Sequence, residues 1–429
     1  MFLKKINNLP SNFLEKALHW ASYFDTFIYL TSNDITYPFS PFPKVLAIGR
    51  EFNIDFSNKE VFQTLEDYTK THKNWLFGHF TYDLKNEIEH LKSQNKDYLG
   101  FPLANFFQPL YLLHFSDNEV TINVLSQSQQ SPQQIFSSIS NQKIEAYPKI
   151  EDVHFQALTS KDEYLANVEK IKQHIIEGDI YELNYCIQFF SQNSVIEPIN
   201  VFLKLNQISP MPFAALYKLG KKWLICASPE RFLKKQSSLL ISQPIKGTIK
   251  RGENKNEDDF LANQLKTSEK ERAENMMIVD LVRNDLAKSC KVGTVKVPEM
   301  LEVYRFKTIQ QMISTVQGEI KPQISFIQAI KNAFPMGSMT GAPKIKAMEL
   351  IEHYENIKRG LFSGSVGFIT PEGDFDFNVV IRSLFYDCDN QCLSYLVGSA
   401  ITYDSVPEKE YEECMLKAQV LKKVLENDK

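Results

Sequence analysis

Three Ser-x-x-Glu signatures constrain how this chain can fold: Ser160-Lys161-Asp162-Glu163, Ser268-Glu269-Lys270-Glu271 and Ser405-Val406-Pro407-Glu408. Each stands before apolar residues of helical period, and serine and glutamate at this spacing can each satisfy a backbone N–H that a first helical turn leaves open. The first helix runs through Val168, Ile171 and Ile175-Ile176 and stops at Gly178. The second carries Met276, Met277, Val279 and Val282; the third has Tyr411, Cys414, Met415, Ala418, Leu421 and Leu425 as its stripe. Strand-like runs lie between them at residues 223–227, 366–369, 379–381 and 393–397. Antiparallel strands with intervening helices predict an α+β fold rather than a wound parallel sheet.

The first 150 residues are rich in aromatics and short strands, as at residues 110–115 and 120–125. A polar stretch from Ser126 to Gln134 reads as a surface loop entering a short helix. A boundary is expected after it, near Lys149 to Val153, giving an N-terminal region 1–150 and a catalytic domain 151–429. With 429 residues, 43% hydrophobic and 23% charged, the chain can bury a large core. A net charge of -4 gives no electrostatic drive toward nucleic acid or an anionic membrane. No apolar run is long enough for a membrane span, and the start, Met1-Phe2-Leu3-Lys4-Lys5, soon turns polar. Six scattered cysteines form no disulfide framework; Cys388 and Cys392 flank a hairpin turn. All six read as reduced thiols of a cytoplasmic protein.

In Pro244-Ile245-Lys246-Gly247-Thr248 a lysine follows an apolar approach, Leu239-Leu240-Ile241. It is either a snorkelling lysine at a strand end or a desolvated amine that sheds its proton and becomes a nucleophile. Glu271 and Glu274 share a helix face, as do Glu410 and Glu413. Such pairs are either a solvated face or, where two helices converge, carboxylates for magnesium. Gly337-Ser338-Met339-Thr340-Gly341-Ala342-Pro343-Lys344 precedes a helix through Tyr354. It is either a plain strand-to-helix turn or one whose amides face an anion, with Pro343 in the first helical turn. Its glycine spacing excludes a nucleotide P-loop. Arg382, ending the run 378–381, can fork onto a carboxylate. Gly364, Gly367 and Gly398 allow the backbone close to a ligand.

Together, residues 244–248, the block Glu271 to Asp285, residues 337–344 and residues 404–417 resemble the signature blocks of the chorismate-utilising enzymes. This family includes the large subunits of anthranilate synthase and aminodeoxychorismate synthase, and the isochorismate and salicylate synthases. The blocks occur in family order across roughly residues 155 to 425. The N-terminal third matches only through Gly78-His79-Phe80-Thr81-Tyr82-Asp83-Leu84. The resemblance implies the anthranilate synthase component I-like fold, packed antiparallel sheets surrounded by helices.

It also implies a reaction on chorismate with Mg2+ as cofactor. Glu274 and Glu413 match the family's magnesium ligands, and Glu271 and Glu410 match the acids that bond metal-bound water. Glu230, in Ser228-Pro229-Glu230-Arg231-Phe232, matches the general acid for the C4 hydroxyl. Arg382 matches the clamp on the enolpyruvyl carboxylate, with Thr248, Ser338, Thr340, Gly364, Gly398 and Ser399 along the substrate. Lys246 stands where most members carry alanine and where the large subunit of aminodeoxychorismate synthase carries lysine. That implies attack of its amine on C2, then replacement by ammonia at C4. Glu182 stands where the water-using synthases place a lysine base, which argues against hydration. No glutaminase block is present, so a glutamine amidotransferase partner or free ammonium is the expected ammonia source. Anthranilate synthesis is the competing reading, and an inactive binding relative a third. Gln311, Phe362 and Ala400 depart from the family's histidine, tyrosine and glycine-rich pattern.

Overall fold

The computed structural model describes all residues except 1, 58–59, 126–129, 145–146, 148–149, 151–152 and 427–429. Among the described residues two antiparallel sheets of twelve and ten strands form the centre. The first runs Phe2–Asn7, Glu119–Val124, Tyr111–Ser116, Val45–Ile48, Thr26–Thr31, Phe213–Leu219, Lys222–Ser228, Ser383–Asp387, Cys392–Ile401, Glu182–Ser191 and Gly341–Ala342, with Gln156–Ala157 beside Glu182–Ser191. The second runs Ile245–Lys250, Ile309–Glu319, Leu239–Gln243, Arg231–Gln236, Phe375–Asn378, Ser365–Ile369, Leu76–Phe80, Ala104–Gln108 and Phe52–Asn53, with Lys296–Arg305 beside Ile309–Glu319. The sheets pack face to face. His79 of the second meets Tyr217 of the first, Nδ1 to hydroxyl at 3.1 Å, inside one apolar core that spans both. Burial pushes the His79 imidazole down to about 4, so it packs as a neutral ring.

The α+β class holds. The boundary near Lys149–Val153 falls partly outside the described residues, and strands from both sides of it share each sheet. Within the polar stretch, residues 126–129 also lie outside them, while Ser131 and Gln134 form a reciprocal capping box on the helix Pro132–Ser140. No helix among the described residues is long and apolar enough to cross a membrane.

Two of the three Ser-x-x-Glu signatures cap as expected. Ser160 Oγ accepts from the Glu163 amide at the start of Lys161–Ile176, and Ser268 Oγ from the Glu271 amide at the start of Glu269–Ser289. The third does not. Helix Pro407–Lys423 begins after Val406, and Ser405 Oγ accepts instead from the Thr402 amide at 3.0 Å, closing the turn that leads out of the sheet. Helix Glu269–Ser289 buries Glu274, Asn275, Ile278, Val279 and Val282, a face displaced from the expected stripe, so Met276 is left 46% exposed.

The run 379–381 is not a strand. It joins Phe375–Asn378 of the second sheet to Ser383–Asp387 of the first, and its burial comes from the core it crosses. A short apolar run carries no period that separates a strand from a buried crossing.

Candidate active site

The chain also crosses from the first sheet to the second between Lys222–Ser228 and Arg231–Gln236, and the two crossings are bonded together. Ser228 Oγ donates to the Val379 carbonyl at 2.6 Å, and the Val379 amide donates to the Glu230 carbonyl at 3.0 Å. One crossing carries Glu230 and the other Arg382, whose φ of 51° is the left-handed conformation a regular strand excludes. Both are therefore placed by the geometry of passing between sheets.

Glu230 is buried and accepts from Ser338 Oγ at 2.5 Å, which ties the 337–344 turn to this crossing. Burial pushes its carboxyl up to about 7, against the pull of Ser338 and Lys246. The Arg382 guanidinium has no carboxylate at ion-pair distance among the described residues; its Nη1 lies 4.0 Å from Met211 Sδ. Burial lowers it to about 10, with Glu230 as the opposing charge, so it remains a cation open to an anionic ligand.

Lys246 lies on the edge strand Ile245–Lys250, where the pairing register with Ile309–Glu319 slips between Ile245 and Thr248. Its Nζ meets Glu182 Oε1 at 2.5 Å, and Glu182 opens the strand Glu182–Ser191 of the other sheet. The ion pair thus bridges the two sheets and is buried, with Lys246 9% and Glu182 1% exposed. The snorkelling reading is excluded. The expectation that burial alone frees the amine of its proton is corrected as well. Burial opposes the charge, but Glu182 and Glu274 outweigh it and hold the amine above its ordinary range.

Gly247, at φ 84°, explains the glycine after the lysine: a Cβ there would stand 2.9 Å from Glu271 Oε2 and 3.1 Å from Leu265 Cδ1. Gly247→Ala is expected to lose about 1–2 kcal/mol of stability from backbone strain. Urea denaturation of both forms checks it.

The glutamate helices Glu269–Ser289 and Pro407–Lys423 meet through Lys270. Its Nζ lies 3.2 Å from Glu410 and 3.7 Å from Glu274. Glu410 and Glu274 are buried, whereas Glu413 is half-exposed and pairs with Lys417 at 2.7 Å. Burial and the charge of Glu413 raise the Glu271 carboxyl, and burial lifts Glu274 to about 7. Glu274 Oε1 is buried without a hydrogen-bond partner. An all-carboxylate donor set, in which Glu274 Oε1 has only the Lys270 ammonium at 3.7 Å and no hydrogen bond among the described residues, fits a hard divalent cation such as Mg2+. No three of the four glutamates bring ligand oxygens within 4.8 Å of one another among the described residues, and Lys270 supplies the positive charge between them. His174, Glu177 and Asp179 do cluster at that distance, but the imidazole is engaged on both nitrogens, by Asp179 and Tyr354.

Other expected contacts fall differently. The Thr340 hydroxyl donates to the Met336 and Gly337 carbonyls, and the Met339 and Thr340 amides close the same turn, so these amides serve the turn itself. Helix Lys344–Tyr354 starts after Pro343, which is its cap rather than its first turn. Ser399 Oγ bonds the Tyr164 hydroxyl at 2.9 Å in the core. Thr248 Oγ1 accepts from Gln311 at 3.2 Å. At Gly364 and Gly367 the space of a Cβ is taken by the carbonyls of Phe80 and Asp376, and at Gly398 by Cys186 Sγ and the Tyr185 carbonyl, so each glycine also lies close against the protein's own chain. Phe362 is buried, and Ala400 pairs with Asn184 across the first sheet.

The site thus gathers Glu230, Lys246 with Glu182, Arg382 and Ser338, beside the glutamate helices. Sequence reading missed two partners. Lys270 was visible through its i,i+4 spacing to Glu274. The meeting of Glu182 with Lys246, sixty-four residues apart, has no local signal.

The arrangement suits a small anionic ligand: a partly buried guanidinium with no carboxylate at ion-pair distance among the described residues, a carboxyl lifted toward neutrality and a buried amine. A family model described as chorismate binding enzyme matches residues 29–423, and the chain belongs to that family. It is 41% identical over 293 residues to a probable chloroplastic aminodeoxychorismate synthase of Oryza sativa subsp. japonica, over 68% of this chain and 32% of that one. It is 33% identical over 387 residues to aminodeoxychorismate synthase component 1 of Bacillus subtilis, over 85% and 80% of the two chains. The chain thus spans about a third of the length of the rice relative. Among solved structures, anthranilate synthase component I from Streptococcus pneumoniae superposes with a TM-score of 0.78 at 25% identity, over 92% of this chain and 94% of that one. The isochorismate synthase MenF of Escherichia coli gives 0.79 at 16% identity, over 99% and 94%, and so shares the fold.

Proposed function

We propose that this protein aminates chorismate at C4, as the chorismate-binding component of an aminodeoxychorismate synthase. The observation that carries the reading is the buried Lys246 amine, set within a chorismate-family site beside Glu230 and Arg382. Resemblance to rice and Bacillus relatives named for this activity supports it.

In this reading Arg382 holds the enolpyruvyl carboxylate and orients the ring. Glu230, neutral up to about pH 7, hands its proton to the C4 hydroxyl, which leaves as water. Lys246 attacks C2 as that bond breaks, so the ring is carried on nitrogen until ammonia adds at C4 and expels the lysine. Glu274 and Glu413 would hold Mg2+, with Glu271 and Glu410 behind them and Lys270 displaced from between the helices. When bound, the ion supplies positive charge to the ring carboxylate. Ammonia comes from a glutamine amidotransferase partner or from free ammonium, and the setting is cytoplasmic.

Purified protein with chorismate, Mg2+ and ammonium is expected to yield 4-amino-4-deoxychorismate by mass spectrometry. Anthranilate as the product would overturn the reading in favour of the competing family activity.

A further inference from the structure

Lys246 cannot attack carbon while it carries three protons, and the site holds it as an ammonium. Something must take one proton before the first bond forms. Only Glu182 hydrogen-bonds the ammonium among the described residues, at 2.5 Å. Its second oxygen, Oε2, is buried and has no hydrogen-bond partner among the described residues, so a proton could be placed there without breaking a bond. Glu182 opens the strand Glu182–Ser191, whose following residues pair with Cys392–Ile401, and it pairs with Ala342 of the short strand Gly341–Ala342, which packs against its carbonyl. The other charges bearing on the amine are Glu230, Glu274, Glu271 and Glu413, and Lys417 opposing them. None of these is hydrogen-bonded or ion-paired to Lys246.

The geometry points to Glu182 as the base that takes the proton from Lys246 when it attacks chorismate and returns it when the lysine is expelled. This inference rests on the amination reading above. The ammonium gives a proton to Glu182, and the freed lone pair forms the bond to C2. The ring double bonds shift, the C4–O bond breaks, and the hydroxyl leaves as water with the proton of Glu230. Lys246 is then a secondary ammonium on the ring. Ammonia forms a bond to C4, the double bonds shift back, and the C2–N bond breaks to release a neutral lysine amine. The new C4 ammonium gives its surplus proton to Glu230, and Glu182 returns its proton to Lys246. The sum is chorismate plus ammonia to aminodeoxychorismate plus water, with both carboxyls restored.

This role makes a prediction opposite to that of a purely electrostatic anchor. Removing the anchor's charge favours the neutral amine and speeds attack, whereas removing the base slows it. The test is formation of the Lys246 adduct in a single turnover, with chorismate and Mg2+ but no ammonia, quenched and read by peptide mass spectrometry. Glu182→Gln is expected to form the adduct about 100-fold more slowly than wild type near pH 7. The deficit shrinks as pH rises and when formate is supplied as a small base. Glu182→Asp keeps the carboxylate one methylene further back and is expected to fall between the two. It also serves if the glutamine variant does not fold. A wild-type or faster rate in Glu182→Gln, or in Glu182→Asp used alone, overturns the inference while leaving the amination reading intact. A wild-type protein that aminates chorismate without any adduct overturns the lysine route and this inference together.

Discussion

Lys246→Ala is expected to abolish amination, with a loss of roughly 10⁴-fold or more, equivalent to about 5.5 kcal/mol in the barrier. The magnitude follows because the amine is the reacting atom and nothing beside it can replace it: its hydrogen-bonded partner is the carboxylate of Glu182. Substrate affinity should change far less, because Arg382 keeps its open guanidinium. The same substitution strips Glu182 of its cation in a site where that residue is 1% exposed. Breaking a buried pair from one side loses about 3–5 kcal/mol. The double variant Lys246→Ala/Glu182→Gln should recover most of that stability and none of the activity. Single-turnover kinetics and urea denaturation separate the two effects.

Glu230→Gln carries the second large effect. Losing a general acid lowers the rate by about 10²–10⁴-fold. In the wild type the rate should fall as pH rises through about 7, the value to which burial lifts this carboxyl. Stability follows the same titration. The folded protein favours the protonated form, so the contribution is fully present below the ordinary carboxylate pKa and is lost as pH rises through about 7. Replacing Glu230 by neutral glutamine should therefore flatten that decline and stabilise the protein above pH 7, by on the order of 3 kcal/mol at most. Thermal unfolding of both forms across this range checks the sign.

Much of this was legible in the sequence, for reasons that differ by residue. Ser160 and Ser268 cap as read because a capping box is a local bargain between residues three apart. Ser405 has the same pattern but closes a turn with Thr402, a choice made by the sheet it leaves. Residues 379–381 looked like a strand because burial and apolarity are shared by strands and by chain crossing a core. The crossing at 379–381, bonded to the one at 229–230, is what sets Glu230 and Arg382 on adjacent segments, and no local pattern marks it. The motif lysine was identifiable, but its charge state was not. Burial is inferable from Leu239-Leu240-Ile241, whereas Glu182 comes from the other sheet and reverses the expected direction. The four glutamates were found by their spacing, and the cation now between two of them by geometry alone.

The most direct test of the central claim is intact-mass and peptide analysis of the wild-type protein mixed with chorismate and Mg2+ in the absence of ammonia. The account predicts a covalent adduct equal to chorismate less one water, located on the peptide containing Lys246 and discharged as aminodeoxychorismate when ammonium is added. An unmodified Lys246 peptide, in protein that still converts chorismate once ammonium is present, would contradict it.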